Sequence, residues 1–166
     1  RGLGDVYKRQ DLRFDYANSL MARTEPDWEE ALASLTLLRA ENDFGQQGEV
    51  LSQISVCQQK LGKNEESLAS NNKFLAEHSG HRLVAEARFM KAENLFLLGR
   101  RDEASTSYAA FLDAHAEHPN RLAAIFRQAQ IHHAEGRWAE CIETSAAIVA
   151  ADPKGSLYDQ LPFMIG

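Results

Sequence analysis

Residues 83–115 read LVAEARFMKAENLFLLGRRDEASTSYAAFLDAH, and this stretch decides the fold class. It has no proline, and its single glycine, Gly99, separates two segments that are rich in the helix formers Ala, Leu and Glu. A glycine just past an apolar-periodic segment is the usual end of a helix. We therefore predict a helix from Leu83 to Leu98, a turn at residues 99–101, and a second helix from Asp102 to His115.

The same pattern recurs along the chain with a step of 37 residues. In each copy a glycine closes an apolar segment, and an acidic, a small and two apolar residues follow at fixed distances. Small and aromatic residues also recur upstream of the glycine. The tracks are Gly62, Gly99 and Gly136; Glu66, Glu103 and Glu140; Ser67, Ala104 and Cys141; Phe74, Phe111 and Ile148; Leu75, Leu112 and Val149; Ser55, Ala92, Ala129 and Gly166; and Phe89, Phe126 and Phe163. Seven tracks in one register indicate an internal repeat of helix pairs.

An earlier copy precedes these, because Trp28 aligns with Trp138 and Asn18 aligns with the upstream small residues. A helix pair of this length cannot bury its apolar face alone, so successive pairs are expected to stack. The sequence thus predicts an all-α fold, an α-α superhelix or solenoid of antiparallel helix pairs. It divides into a non-native or disordered tail (1–10), four repeats (about 11–44, 45–80, 81–118 and 119–154) and a truncated fifth helix (155–166).

The second helix of each copy resembles that of the tetratricopeptide repeat. The matching aromatic, small, large apolar and proline positions are Trp28 and Trp138, Ala31 and Cys141, Leu38 and Ile148, and Pro153. Ser55, Ala92 and Ala129 stand where the first helix of that family has a small residue. The resemblance covers residues 12–166, and the long step is similar to the extended repeats of bacterial cell-envelope members, such as the Tol-Pal-associated coordinator and the outer-membrane assembly lipoprotein. Lys91 and Gln128 depart from the family, which has leucine there.

Composition and motifs argue against several function classes. The chain is 44% hydrophobic and 25% charged, with a net charge of −6, and it has no basic stripe to bind nucleic acid. It has no run of about 18 apolar residues that would predict membrane insertion. The common nucleophile, phosphate-binding and zinc-protease motifs are absent from the sequence. We therefore expect a protein that is not an enzyme, with no cofactor and no evident small-molecule substrate.

Four of the six histidines are spaced closely enough to be considered as ligands of a metal site. His115 and His118 lie three residues apart at a helix end, and His132 and His133 follow on the next helix. Two such pairs could supply tetrahedral ligands, but adjacent histidines point to different faces of a helix. Because histidine is common at helix ends, we expect capping or solvated side chains and no metal.

The two cysteines, Cys57 and Cys141, fall in the second and fourth repeats, which do not touch in a solenoid. No disulfide is therefore expected. Both occupy apolar-phase positions and predict buried free thiols. So few cysteines suit the cytoplasm and the bacterial periplasm or cell envelope equally, and the localisation stays open.

A surface for a protein partner is the remaining kind of site, because the resemblance implies a concave face lined by the first helix of each repeat. The residues at its groove positions are Ser52, Val56 and Gln59; Phe89, Glu93 and Phe96; and Phe126, Gln130 and His133. Such a surface suits an extended peptide or a partner helix. Alternatively, the regular recurrence of Phe89, Phe126 and Phe163 indicates packing between neighbouring first helices. The Lys and Asn of chaperone-binding members are missing, which argues against an acidic chaperone C terminus as ligand.

Two functions remain possible from the sequence. The first is a non-enzymatic scaffold that binds a peptide or helix of a partner on the concave face. The alternative is a substrate-recruiting or regulatory repeat domain of a larger enzyme or sensor protein. The opening RGLGDVYKRQ has no initiator Met and no helical period, and the chain stops within an apolar stretch, so we expect a fragment.

Overall fold

The computed structural model describes residues 3–41 and 44–151, with side chains described from residue 8 onward. These residues form eight α-helices and no β-strand, so the all-α prediction is confirmed. The helices are α1 (Leu3–Met21), α2 (Trp28–Ala40), α3 (Gln47–Lys60), α4 (Asn64–Glu77), α5 (Val84–Leu97), α6 (Arg101–Ala114), α7 (Arg121–Ala134) and α8 (Trp138–Ala151). Among the described residues, no helix combines the length and apolar content needed to cross a membrane. The predicted fifth helix, 155–166, lies outside the described residues.

The helices belong to two compact units, residues 1–94 and residues 95–166, with the boundary inside α5. In the first unit, α1 packs on α2, α2 on α3 and α3 on α4. In the second unit, α6 packs on α7 and α7 on α8. In these five pairs, helices that are neighbours in the chain are neighbours in space, as stacked helix pairs require.

Helix α1 begins earlier than the sequence pattern predicts. Residues 3–10, expected to be a non-native or disordered tail, form its first turns, and the Gln10 side chain is buried. The physical reason is that lengthening an existing helix costs little, and α1 is anchored further along by Phe14 and Leu20 in the core. That residues 1–10 are foreign to the native chain stays a prediction.

The predicted glycine turns are Schellman motifs. Gly62, Gly99 and Gly136 have positive φ angles of 74°, 73° and 69°. At the first turn, the Lys63 amide donates to the Gln58 carbonyl oxygen at 2.8 Å, and the Gly62 amide donates to the Gln59 carbonyl oxygen at 2.9 Å. The same pair of hydrogen bonds closes the other two turns. One residue type at one repeat position thus reverses the chain between paired helices.

Gly99→Ala should lower the free energy of unfolding by about 1 kcal/mol, because a Cβ makes the left-handed backbone unfavourable. That Cβ would meet no atom within 4 Å, so the loss would come from the backbone alone. Gly80→Ala is the matched control, since Gly80 also has open space around it but no positive φ, and it should cause no loss. Urea unfolding followed by circular dichroism checks both variants. Equal midpoints for the two would contradict the role given to the turn.

One core cluster of the first unit joins α1, α2 and α3. It contains Phe14, Ala17, Leu20, Ala31, Leu35, Leu38, Phe44, Val50, Ile54 and Cys57. The crossing of α3 and α4 is polar instead, because the buried Ser67 hydroxyl donates to the Ser55 carbonyl oxygen at 2.8 Å. Small residues on both helices allow this close approach.

In the second unit, residues at the recurring small positions are again buried. Ala104, Ala129 and Cys141 have at most 1% of their surface exposed. Larger apolar side chains fill the space beside them, in a cluster of Ile125, Phe126 and Ile148 with Leu112, Leu122 and Val149 packed against it. The alternation of small and large residues lets α7 and α8 interdigitate.

Candidate interaction surface

Gln59, the predicted groove residue near the end of α3, is oriented by a buried polar network. Its Nε2 donates to Oδ1 of Asn94 at 3.0 Å, and Asn94 Nδ2 donates to Ser67 Oγ at 2.8 Å. Asn94 is fully buried, whereas Gln59 is half-buried, as are Ser52 and Val56 earlier on the same helix. Because buried hydrogen bonds fix side-chain direction, the Gln59 amide is set in place before any partner arrives.

Two further predicted residues, Phe89 and Glu93, lie four positions apart on α5 and therefore on one side of that helix. Both are half-buried. Their burial differs from that of Ala92 and Leu95 on the same helix, which are at most 2% exposed. Phe89 therefore keeps ring surface that a partner could contact, in addition to any packing role.

In the second unit, Phe96 and Gln130 are brought together through Arg127. The Arg127 guanidinium carbon lies 4.7 Å from the centroid of the Phe96 ring, which is a cation–π contact. Arg127 Nη1 also donates to Gln130 Oε1 at 2.9 Å. All three side chains are half-buried. Arg127 was not predicted from the sequence, because its role depends on the rotation of α7 relative to the end of α5.

His133 contacts Trp138 across the turn between α7 and α8. The ring centroids are 5.2 Å apart and the planes meet at 86°, an edge-to-face arrangement. His133 is half-buried, and Trp138 is 57% exposed. The pair thus presents a fixed aromatic edge to solvent at this end of α7.

Phe126 does not share this exposure. Its ring is 6% exposed and packs with Ile125 and Ile148 in the core cluster of the second unit. For this residue the structure favours packing, the alternative that the recurring aromatic track had indicated. Its burial leaves little ring surface for a partner.

Four histidines form a repeated motif that is not among the seven recurring positions described above. Phe-x-x-x-His-x-x-His occurs at residues 74–81 and, 37 residues later, at residues 111–118. In the first copy both histidine ring centroids lie 5.5 Å from the Phe ring and 6.2 Å from each other. In the second copy the distances are 5.4, 5.2 and 6.3 Å. The spacing alone could have revealed this motif, because it follows the same step as the glycines.

The second histidine of each motif hydrogen-bonds the backbone that leads into the next helix. Nδ1 of His81 accepts from the Leu83 amide at 3.2 Å, and Nδ1 of His118 accepts from the Asn120 amide at 3.1 Å. On α7, His132 Nδ1 lies 3.3 Å from the Thr144 hydroxyl. No group of three or more potential metal ligands occurs among the described residues. Histidine thus has structural partners at each of these positions.

Glu49 on α3 completes the environment of the first motif. Its Oε1 lies 3.2 Å from His81 Nε2 and accepts from Arg82 Nη2 at 3.2 Å. The neighbouring Gly48 permits this approach, because a Cβ there would lie 3.1 Å from the His81 ring. Burial raises the pKa of Glu49, but a backbone hydrogen bond, His81 and Arg82 lower it more, so the pKa lies below its ordinary value.

Glu49→Gln should lower the stability at neutral pH by roughly 1 kcal/mol, because an ion pair and charged hydrogen bonds are lost. A depressed pKa stabilises the fold above the ordinary pKa of 4.5 and ceases to do so as pH falls through the lower folded value. The difference between wild type and variant should therefore shrink as the pH falls below 4.5. Urea midpoints at neutral pH and in acid test this, with the exposed Glu117→Gln as control. A difference that is unchanged by acid would contradict the assignment.

Charged side chains at two of the glycine turns pair with one another. Arg100 donates to both carboxylate oxygens of Glu103 at 2.7 Å, and Arg137 lies 2.6 Å from Glu135. Both pairs lie at or beside an open depression that Gly99 also lines. Such exposed pairs contribute little to stability. They orient the ends of the helices without forming an enclosed substrate pocket.

Comparisons with protein-family models and with curated proteins give no match. Solved structures do match. MamA from Desulfovibrio magneticus RS-1 (41-end) is 20% identical over 93% of this chain and 82% of that chain, with a TM-score of 0.77. A tetratricopeptide repeat protein from Parabacteroides merdae is 14% identical over 95% of this chain and 59% of that chain, with a TM-score of 0.77. Nearly identical TPR-like repeats from Podosopora anserina give 19% identity over 88% of this chain and 76% of that chain, with a TM-score of 0.67.

These similarities confirm the predicted fold class, a helical repeat of the tetratricopeptide type. At such low sequence identity, these similarities show the fold and do not show any particular activity. Folds of this type are typical scaffolds for protein–protein interaction. None of the three structures points to the Tol-Pal-associated coordinator or the outer-membrane assembly lipoprotein, so that finer resemblance stays a prediction.

Proposed function

We propose that this chain is a non-enzymatic scaffold that binds a peptide or a helix of a partner protein through its first helices, α3, α5 and α7. The observation that carries the proposal is the set of half-buried, pre-oriented side chains on these helices. Phe96 lies against Arg127, Arg127 is hydrogen-bonded to Gln130, and Gln59 is fixed by Asn94. Side chains that are already ordered lose little entropy when they bind.

The chemistry of these side chains narrows the kind of partner. In the second unit, Arg127 joins the Phe96 ring to the amide of Gln130, and the Trp138 ring contacts the imidazole of His133. Aromatic rings supply contact area, and amides can bond the peptide backbone of an extended segment. We therefore infer a ligand with apolar side chains and accessible main-chain groups, rather than a strongly acidic tail.

A random peptide library displayed on phage tests the proposal with the purified chain. The library should yield binders, and Gln130→Ala together with Phe96→Ala should weaken them at least about ten-fold, which corresponds to 1.4 kcal/mol. Thr106→Ala, on the exposed side of α6, is the matched control and should bind like wild type. Unchanged far-UV circular dichroism must accompany each variant. Binders that tolerate the double substitution, or the absence of any binder, would overturn the proposal.

A further inference from the structure

A chain of buried hydrogen bonds ends at Gln59, the predicted groove residue near the end of α3. It begins where the Ser67 hydroxyl on α4 donates to the Ser55 carbonyl oxygen on α3 at 2.8 Å. Asn94 on α5 then donates from Nδ2 to Ser67 Oγ at 2.8 Å, and its Oδ1 accepts from Gln59 Nε2 at 3.0 Å. Ser55, Ser67 and Asn94 are at most 1% exposed, so bulk water does not compete for these bonds. We call these four residues the amide relay.

The amide relay has one direction, because it starts at a carbonyl oxygen, which can accept but cannot donate. Ser67 has a single hydroxyl proton, and the Ser55 carbonyl oxygen takes it. Ser67 Oγ can therefore only accept from Asn94, which turns the Asn94 NH2 group toward Ser67 and its Oδ1 toward Gln59. Gln59 must in turn offer its Nε2 to Asn94, so its Oε1 is turned away from the relay.

The outer end of the amide relay is thus a hydrogen-bond acceptor. Gln59 is half-buried, and no described residue donates a hydrogen bond to its Oε1. An unrestrained glutamine can turn its amide over and present either the oxygen or the NH2 group. Turning Gln59 over would instead set its Oε1 against Asn94 Oδ1, two acceptors with no proton between them. The relay therefore holds the oxygen in place for a partner.

We propose that Ser67 and Asn94 are positioning residues that make Gln59 select a hydrogen-bond donor in the ligand. The group that suits Oε1 is an N–H, either from the main chain of an extended segment or from a basic side chain. An ionised carboxylate has no proton to give and would meet the Gln59 oxygen as a second acceptor. This selection rests on the proposed binding function, and it adds the class of ligand group that the surface accepts at Gln59.

Side-chain amide signals in a two-dimensional NMR spectrum test the relay without any ligand. Ser67→Ala removes the hydroxyl that orients Asn94, and alanine fits the position because the buried Ala104 stands one repeat later. The side-chain amide signals of both Asn94 and Gln59 should shift, because the second depends on the first. Signals of Gln59 that stay in place in Ser67→Ala would overturn the proposal.

Ser70→Ala is the matched control. It removes another hydroxyl of α4 that bonds a glutamine of α3, since Ser70 Oγ donates to Gln58 Oε1 at 2.7 Å. This variant should move the side-chain signals of Gln58 and leave those of Gln59 unchanged. Equal shifts of Gln59 in the two serine variants would indicate a general disturbance of α4 and would contradict the relay.

A peptide selection tests the preference for donors. The random library is first depleted on Gln59→Met, which keeps the length of the side chain but has no amide, and is then selected on the wild-type chain. Surviving peptides should bind wild type about ten-fold more tightly than Gln59→Met. In these peptides, replacing one main-chain amide by an ester, or one basic side chain by alanine, should weaken binding to wild type about ten-fold and leave binding to Gln59→Met unchanged. Which replacement has this effect identifies the source of the N–H.

The same peptides test the positioning role of Ser67. Ser67→Ala should weaken them at least about two-fold, because the competent orientation of Gln59 falls to half of the population or less. Ser70→Ala should bind them like wild type. Unchanged far-UV circular dichroism must accompany both variants. Equal affinities for wild type and Ser67→Ala would contradict the positioning role.

Failure of the donor selection and failure of the scaffold function give different results. If depletion leaves no peptide, while the undepleted library yields binders that need Phe96 and Gln130, the selection at Gln59 is wrong and the scaffold function stands. If surviving peptides couple to Gln59 only through an aspartate or glutamate, the selection is overturned. If the undepleted library yields no binder, the scaffold function and the selection that rests on it both fail, even where NMR shows the relay.

Discussion

Phe111→Ala should destabilise the chain by about 3–5 kcal/mol, because a fully buried aromatic ring is removed. The ring has no exposed surface, and its centroid lies 5.4 Å from that of His115 and 5.2 Å from that of His118. Its removal leaves a cavity at the end of α6 and frees two rings that are packed against it. Because His118 also accepts from the Asn120 amide, the start of α7 should lose order as well.

Thermal unfolding measures the effect, and the expected loss corresponds to a fall in Tm of roughly 10 °C or more. Phe74→Ala, at the equivalent position of the preceding motif, should show a loss of the same size. Leu37→Ala is the matched control, because Leu37 is 57% exposed and should shift Tm by little. If Phe111→Ala melts like Leu37→Ala, the ring is not the packing centre that its burial implies.

The two cysteine thiols should be inert in the folded protein and reactive only after unfolding. Cys57 and Cys141 are at most 1% exposed, and neither forms a disulfide, as the sequence predicted. Burial raises the pKa of Cys57 to about 11. The thiolate is the reacting species, so near pH 8 this site holds very little of it in addition to being shielded.

A colorimetric thiol assay tests this expectation. The native chain at about pH 8 should react negligibly over minutes, and guanidinium should release both thiols. Ala69→Cys, on the exposed side of α4, is the positive control and should add one thiol that reacts at once. A thiol of the wild-type chain that reacts as fast as this control would contradict the packing of α3 and α8.

The raised pKa of Cys57 also affects the pH dependence of stability. The protonated thiol favours the folded state below pH 9, and this contribution is lost as the pH rises toward 11.

The sequence predicts most of the fold, because the fold depends on residue types at regular positions. The left-handed glycines, the buried small residues such as Ala104, and the helix limits of α5 and α6 are all local consequences of composition and spacing. The start of α1 could not be predicted in the same way. Its first turns have no strong signal of their own and continue a helix that is anchored by later residues.

The candidate surface is less accessible to sequence reasoning, because it depends on how helices rotate against each other. Phe96, Gln130 and His133 were predicted from their positions, yet the side chain that joins the first two, Arg127, was not. Phe126 occupies the same repeat position as Phe89 but is buried, because Ile148 and its neighbours close over it. Equal repeat positions therefore do not ensure equal exposure.

The hydrogen bond between Asn94 and Ser67 also limits how this chain could be rearranged. Both side chains are fully buried, and the later repeats have Ala104 and Cys141 at the position of Ser67. If the segment that begins with α5 were spliced after α6 or α8, the amide nitrogen of Asn94 would lose its hydroxyl partner. A buried polar group without a partner costs about 1–3 kcal/mol. The repeats are thus not interchangeable building blocks, and a shuffled version must transplant both sides of this junction together.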